Sequence, residues 1–329
     1  MPEAPPHPFA VLTPDFLLAA VEGQGFACDG RLAALNSYEN RVYQIGIEGS
    51  EPLIAKFYRP GRWSDAQIAE EHGFCIELAQ LELPVVAPLP DAAGATLRQH
   101  QGLRFALFPR RGGRAPELDC PDTLVTLGRT LARIHSAGAV RPFRHRERLD
   151  PRTRGHDSIE LIAAQFIPDA LRAAYVSVAR ELLARVDEAF AALADIAWIR
   201  THGDCHPGNL LWREDAPNFV DFDDAVMAPA VQDLWMLLSG DRAQAELQLG
   251  ELIAGYEEFH DFDPRELRLI EPLRALRILH YAAWLARRVD DPAFTHAFPW
   301  FNTERYWGEH ILALREQLAA LAEPPLRLL

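Results

Sequence analysis

Periodicity changes once along this chain, and that change limits the folds open to it. Up to about residue 110 the apolar residues fall into short segments of strand character, 41–47, 52–57, 96–99 and 103–108, split by turn signals such as Glu48-Gly49-Ser50-Glu51. Two helices are expected among them. Thr13 caps the first with Pro14 at its first position, and Ser64 opens the second, which runs to about residue 81. From about residue 122 a helical period takes over, across 123–136, 170–194, 232–238, 243–259 and 272–289. One stretch interrupts it: residues 199–224 carry two short apolar strands, 210–212 and 219–222, set among Gly, Asp, His and Asn. Pro109-Arg110-Arg111-Gly112-Gly113 breaks the pattern between the two regimes. The expectation is an α+β chain with a small antiparallel β-rich domain, 1–110, and a larger helical one, 111–329.

Charge removes several functions. The chain carries a net charge of −14, whereas binding to a phosphate backbone draws on clustered Lys and Arg, so nucleic acid is not expected as a partner. No apolar run reaches the roughly 18 residues that cross a bilayer, and residues 1–8 are proline-rich without a basic cluster, so a cytoplasmic chain without a membrane partner is expected. A monomer is the separate expectation for its assembly. Cys28, Cys75, Cys120 and Cys205 form no CxxC pair and suggest neither a disulfide framework nor a zinc knuckle. The Arg-rich piece 141–154 reads as an exposed loop.

The chemistry concentrates in His202-Gly203-Asp204-Cys205-His206-Pro207-Gly208-Asn209, followed by Val220-Asp221-Phe222-Asp223-Asp224. Phosphoryl transfer needs an acceptor hydroxyl held in line with the γ-phosphate and cations to neutralise the phosphate oxygens. Asp204 and Asn209 have the spacing of the Asp and Asn in a kinase catalytic loop, and Asp221 ends the next apolar segment, where a kinase holds its metal-binding Asp. Lys56 closes the strand-like Leu53-Ile54-Ala55-Lys56 and fits the lysine that contacts the α- and β-phosphates. It is the only Lys among 33 basic residues, so a chain that uses Arg everywhere else keeps a compact ammonium here. Its expected partner is Glu71 on the following helix, with Glu70 the alternative, and its replacement is expected to leave stability nearly unchanged.

HGDCHPGN with VDFDD resembles the aminoglycoside phosphotransferase and choline kinase branch of the kinase superfamily. The stretches 36–43 (NSYENRVY), 56–60 (KFYRP), 232–238 (QDLWMLL) and 298–300 (FPW) are similar to the bacterial stress response kinase A family. The resemblance runs from about residue 35 to the C-terminus. It implies a protein-kinase-like two-lobed fold and a cytoplasmic Ser/Thr protein kinase of the stress response, using ATP and Mg²⁺ on a protein substrate with a Ser or Thr acceptor. It places Asp204 at the catalytic position, Asn209 and Asp221 at the metal, and Ser37 at an ATP contact. The loop around Ser37 has no GxGxxG, so its polar side chains and backbone amides must cradle the phosphates.

Three other readings compete. A small-molecule kinase acting on an amino alcohol or aminoglycoside shares the HGD motif. His202, Asp204 and His206 form an HxDxH triplet that would suit a metal-dependent hydrolase, but that reading leaves Lys56, Asn209 and Asp221 idle. A catalytically dead scaffold has no use for the intact set. His202 and His206 are expected to support the loop, Asp233 to anchor it, and Cys205 to be a small filler.

Overall fold

The structure, a computed structural model, describes residues 7–328; the proline-rich start reads as sequence only and lies largely outside them. It divides into two compact units. The first takes the chain up to Glu117 together with Phe143–Arg146 and His206–Ala225, and the second takes the rest.

In the first unit α1 (Pro14–Glu22) begins where Thr13 accepts the Phe16 N–H, the cap expected from the sequence. The five strands β1 (Cys28–Ala34), β2 (Arg41–Ile47), β3 (Leu53–Phe57), β4 (Arg98–His100) and β5 (Leu103–Pro109) form one antiparallel sheet in the order β1-β2-β3-β5-β4. Alternation sorts their side chains. Ile45, Ile47, Leu53, Ala55, Phe57, Leu103, Phe105 and Leu107 build a core with Phe16, Leu17, Ala20 and Val21 of α1. On the opposite face Ala106 packs with Tyr58 and with Ile68 of α2 (Asp65–Gln80). Lys56 lies opposite Val42 and Ala106 in the register, on this second face. Ser64 and Gln67 close a capping box at the start of α2. Sequence gives β1, the strand ahead of the Ser37 loop, no bounds: it is a largely exposed edge strand with an irregular register and Gly30 at φ +83°, so it shows no apolar alternation.

The unit is not cut by a single break near residue 110, because the segment 206–225 is bonded into it. Val86 N–H donates to Phe219 O and Phe219 N–H to Pro84 O, while Arg114 and Trp212 exchange backbone bonds. The strands expected at 210–212 and 219–222 are isolated bridges, Leu210 with Phe219 and Arg114 with Trp212, and the left-handed backbone of Asp221 at φ 60° ends any ladder there.

The second unit is helical, with α3 (Pro121–Ala139), α4 (Asp157–Gln165), α5 (Asp169–Ala192), a two-stranded ribbon of β6 (Ile199–Thr201) and β7 (Val226–Ala228), then α6 (Arg242–Tyr256), α7 (Ile270–Ala286), α8 (Phe294–Ala297) and α9 (Glu304–Ala320). α3 and α6 cross closely. A Cβ at Gly128 would run into the Leu252 carbonyl oxygen, and one at Gly255 into that of Val125. The helix expected at 232–238 is instead two short 3₁₀ turns, Ala230–Asp233 and Trp235–Leu237. Buried Glu266 holds the Val231 N–H, and Asp233 is engaged by the preceding loop, so the backbone does not wind on as an α-helix. The sheet-plus-helix content matches the expected protein-kinase-like α+β fold.

Candidate active site

The residues singled out by sequence fall into two groups, one in each unit. In the first, the Lys56 ammonium is buried at 6% exposure and lies 2.7 Å from Asp221 Oδ1 and 3.2 Å from Asp223 Oδ1. The two carboxylates differ sharply, the Asp221 side chain being 51% exposed and that of Asp223 only 4%. Asp223 is also bound by the Arg62 guanidinium and by Asn40 Nδ2 at 3.1 Å, and its carbonyl by Arg146. Burial opposes charge on Lys56, but Asp221 and Asp223 outweigh it and hold the ammonium above its usual range. Asp223 is likewise buried against its charge, and Arg62 and Lys56 keep it below the ordinary carboxylate range.

The Lys56 partner differs from the one expected. Its ion pairs run to Asp221 and Asp223, while Glu71, buried on the inner face of α2, has an Oε2 without a hydrogen bond and an Oε1 reached only by the Cys75 thiol at 3.9 Å. Burial pushes the Glu71 carboxyl up to about 7, against the pull of Lys56. Its neighbour His72, 3.8 Å away, is kept neutral, since burial first and then Lys56 push it down to about 3; its ring bonds Tyr58 and Thr96 instead. Glu70 is excluded as the alternative partner. It faces outward and accepts the backbone N–H groups of Arg144, His145 and Arg146 at 2.5–2.8 Å.

Ser37 sits in the loop between β1 and β2, with its hydroxyl donating to Asn40 O at 2.9 Å. Asn40 then ties that loop to the acidic group, since its Oδ1 accepts the Arg59 N–H while its Nδ2 reaches Asp223. Asn209 ends a 3₁₀ turn, Pro207–Asn209, that His206 caps by accepting the Gly208 N–H at Nδ1. Asp221 occupies a left-handed conformation unusual for a residue with a side chain, a strain that collects at functional sites.

In the second unit Asp204 follows a tightly held turn. Asp233 accepts the His202 N–H at 2.7 Å and the Gly203 N–H at 2.8 Å, Gln232 donates to Gly203 O, and His202 Nδ1 accepts the Asp204 N–H at 3.3 Å. Asp233 is braced in turn by His135 of α3 at 3.1 Å, whose other ring nitrogen meets the Tyr256 hydroxyl of α6. Asp204 itself meets Arg277 of α7, with Nη1 2.5 Å from Oδ1. The Cys205 thiol is buried and raised first by burial and then by Asp233 and Asp204, which leaves it an inert filler. His202 and His206 spend ring nitrogens on their own loop, and no group of three or more His, Cys, Asp or Glu poised for a metal occurs among the described residues. The HxDxH hydrolase reading therefore finds no ligand set.

The sequence pattern did not assign roles to Asn40, Arg62, Asp223 or Arg277. Asn40 and Asp223 stand inside the motifs quoted for other residues. Arg62 and Arg277 are arginines in a chain full of them, and only distance distinguishes them.

Comparison with known proteins fits this geometry. Residues 31–270 match the Phosphotransferase enzyme family. Over 327 residues, 97% of this chain and 97% of theirs, it is 46% identical to stress response kinase A of Escherichia coli (strain K12) and to the serine/threonine protein kinase RdoA of Salmonella typhimurium (strain LT2). Among solved structures it resembles the amicoumacin kinase hAmiN, with TM-score 0.71, 17% identity and 95% of each chain covered. It also resembles a microcompartment-associated aminopropanol kinase, with TM-score 0.66, 18% identity and 94% and 99% coverage. These likenesses carry the fold. The chain is thus a kinase of the phosphotransferase enzyme family and belongs, within it, with stress response kinase A.

Proposed function

We propose that this protein is a cytoplasmic, ATP- and Mg²⁺-dependent Ser/Thr protein kinase of the stress response. The observation that carries the proposal is the buried Lys56 clamped between one exposed and one enclosed carboxylate, Asp221 and Asp223. Among the described residues no helix is long and apolar enough to cross a membrane.

The acidic group suits a divalent cation that arrives with a nucleotide. Mg²⁺ takes one or two carboxylates, keeps several waters and completes its shell with phosphate oxygens, so an all-protein cage is not required. Asp221 offers an exposed carboxylate and Asn209 a neutral amide oxygen, and these two residues would hold the ion. A bound cation supplies charge neutralisation at the phosphate oxygens. Lys56 supplies a second, fixed positive charge for the α- and β-phosphates. When Asp221 turns to other company, the unpartnered Oε2 of Glu71 is a carboxylate available to Lys56, which keeps the role expected for Glu71. Ser37 and the amides of its loop take the nucleotide phosphates. Asp204 accepts a hydrogen bond from the acceptor hydroxyl and orients it.

The test is incubation of the purified protein with labelled ATP and Mg²⁺, alone, with a generic protein, and with a panel of amino alcohols. Label on Ser or Thr is the expected result. Transfer only to amino alcohols, the class acted on by the aminopropanol kinase whose fold is shared, would replace the protein-kinase reading.

A further inference from the structure

Arg277 has no place in the chemistry above, yet it covers the residue that chemistry depends on. Its guanidinium lies 2.5 Å from Asp204 Oδ1, with the Arg277 side chain 48% exposed and that of Asp204 23%. A general base engaged in this way cannot accept the hydroxyl proton through that oxygen until the arginine moves.

The surroundings show what would move it. Arg274, Arg277, Tyr281 and Trp284 recur along α7 at helical spacing, and Arg288 follows in the turn after the helix. Tyr281 stacks on Trp284 with ring centroids 5.8 Å apart, Trp284 meets Phe298 at 5.8 Å, and Arg288 lies over Trp284 at 4.3 Å. Phe298 leads on to Trp300. Tyr281 and Trp300 are 46% and 43% exposed, so an aromatic and cationic strip runs outward from Asp204 in a protein whose net charge is −14. A half-exposed guanidinium can exchange one carboxylate for another at little cost, because both pairs are charge-assisted hydrogen bonds of the same kind.

We infer that the acceptor is a peptide segment carrying an acidic residue close to its Ser or Thr, and that Arg277 selects it by leaving Asp204 for the incoming carboxylate. An anionic substrate thereby unmasks the base that it needs. A neutral segment leaves Arg277 on Asp204, and a cationic one meets repulsion from Arg277 itself. The aromatic strip formed by Tyr281, Trp284 and Trp300 supports the rest of the segment. The inference rests on the protein-kinase reading and narrows it.

The experiment compares three peptides with one Ser, flanked by Asp, by Ala or by Arg, on the wild type and on Arg277→Ala and Arg277→Glu, with thermal melting as a control for folding. The wild type is expected to favour the Asp-flanked peptide over the Ala-flanked one in kcat/KM by roughly tenfold, the scale of one close charge pair. Arg277→Ala should lose that preference, and Arg277→Glu should turn it towards the Arg-flanked peptide. Equal rates on the three peptides, or a preference that survives in Arg277→Ala, would overturn the role of Arg277 while leaving a protein kinase. Transfer to amino alcohols and to none of the peptides would overturn the protein-kinase reading as well.

Discussion

Replacing Lys56 tests both the chemistry and the packing. In Lys56→Met the buried Asp223 keeps Arg62 and Asn40 but loses its closest ammonium, whereas the exposed Asp221 turns to water. Stripping one partner from a buried pair costs about 3–5 kcal/mol, and the remaining arginine should hold the loss to about 2–3 kcal/mol. At about 2–4 °C per kcal/mol for a domain of 150–250 residues, the melting temperature should fall by about 4–12 °C. This revises the expectation from sequence that replacing the residue would leave stability nearly unchanged. Lys56→Arg keeps the charge but forces a broad planar group into a closed site, costing about 1–3 kcal/mol by overpacking. A shift of about 1 Å at the phosphates would cut turnover about 10²-fold. The assay is calorimetric melting beside ATP-dependent turnover, with Asp223→Asn as the third variant and Lys56→Met/Asp223→Asn as the fourth. The double variant should regain at least about 1 kcal/mol of the sum of the single losses and no activity. Turnover of Lys56→Arg within threefold of wild type would refute the phosphate contact. Wild-type melting of Lys56→Met would refute the electrostatic account of the pair.

Asp204→Asn should abolish transfer while nucleotide affinity, measured by titration calorimetry, changes less than about threefold, because Asp204 handles the acceptor; retention of a tenth of wild-type turnover would remove it from that role. Asp221→Ala should raise the Mg²⁺ concentration for half-maximal activity more than Asn209→Ala does, since it deletes a full charge, and identical titrations of both variants with wild type would sink the metal assignment. Glu71 gives a pH dependence of defined sign: with its carboxyl raised to about 7, the native state holds more protons than the unfolded chain between about pH 4.5 and pH 7, and its contribution to stability falls as pH rises through that window. Glu71→Gln should therefore gain melting temperature relative to wild type at pH 8 compared with pH 5, and parallel melting curves across that range would count against a buried, unpaired Glu71.

The candidate catalytic loop stands out in the sequence by spacing alone, Asp204 to Asn209 and then Asp221 at the end of an apolar run. The principal helices and most strands were legible because each buries one face, as the stripe Leu124, Leu127, Leu131 and Ile134 does on α3. What escaped lacked that signature. β6 and β7 have three residues each, too few for a period, and α9 buries His310 and Gln317 along with Trp307 and Leu314, so its stripe is not purely apolar. The Lys56 partner escaped for another reason: three carboxylates, those of Glu71, Asp221 and Asp223, compete for one ammonium, and sequence order does not rank them by distance. Burial and Arg62 decide the order, and neither has a sequence signature.

The crossing of α3 and α6 gives the two glycines an influence beyond their own contacts. His135 lies two turns along α3 from Gly128, and Tyr256 directly follows Gly255, so the gauge between the helices sets where the His135 ring can meet Asp233 and hence where the turn before Asp204 is pinned. A methyl group at either glycine would act as a shim. It would push the helices apart and slacken the brace behind the candidate catalytic loop, so that on the proposed function the enzyme would lose rate without losing any residue that touches substrate.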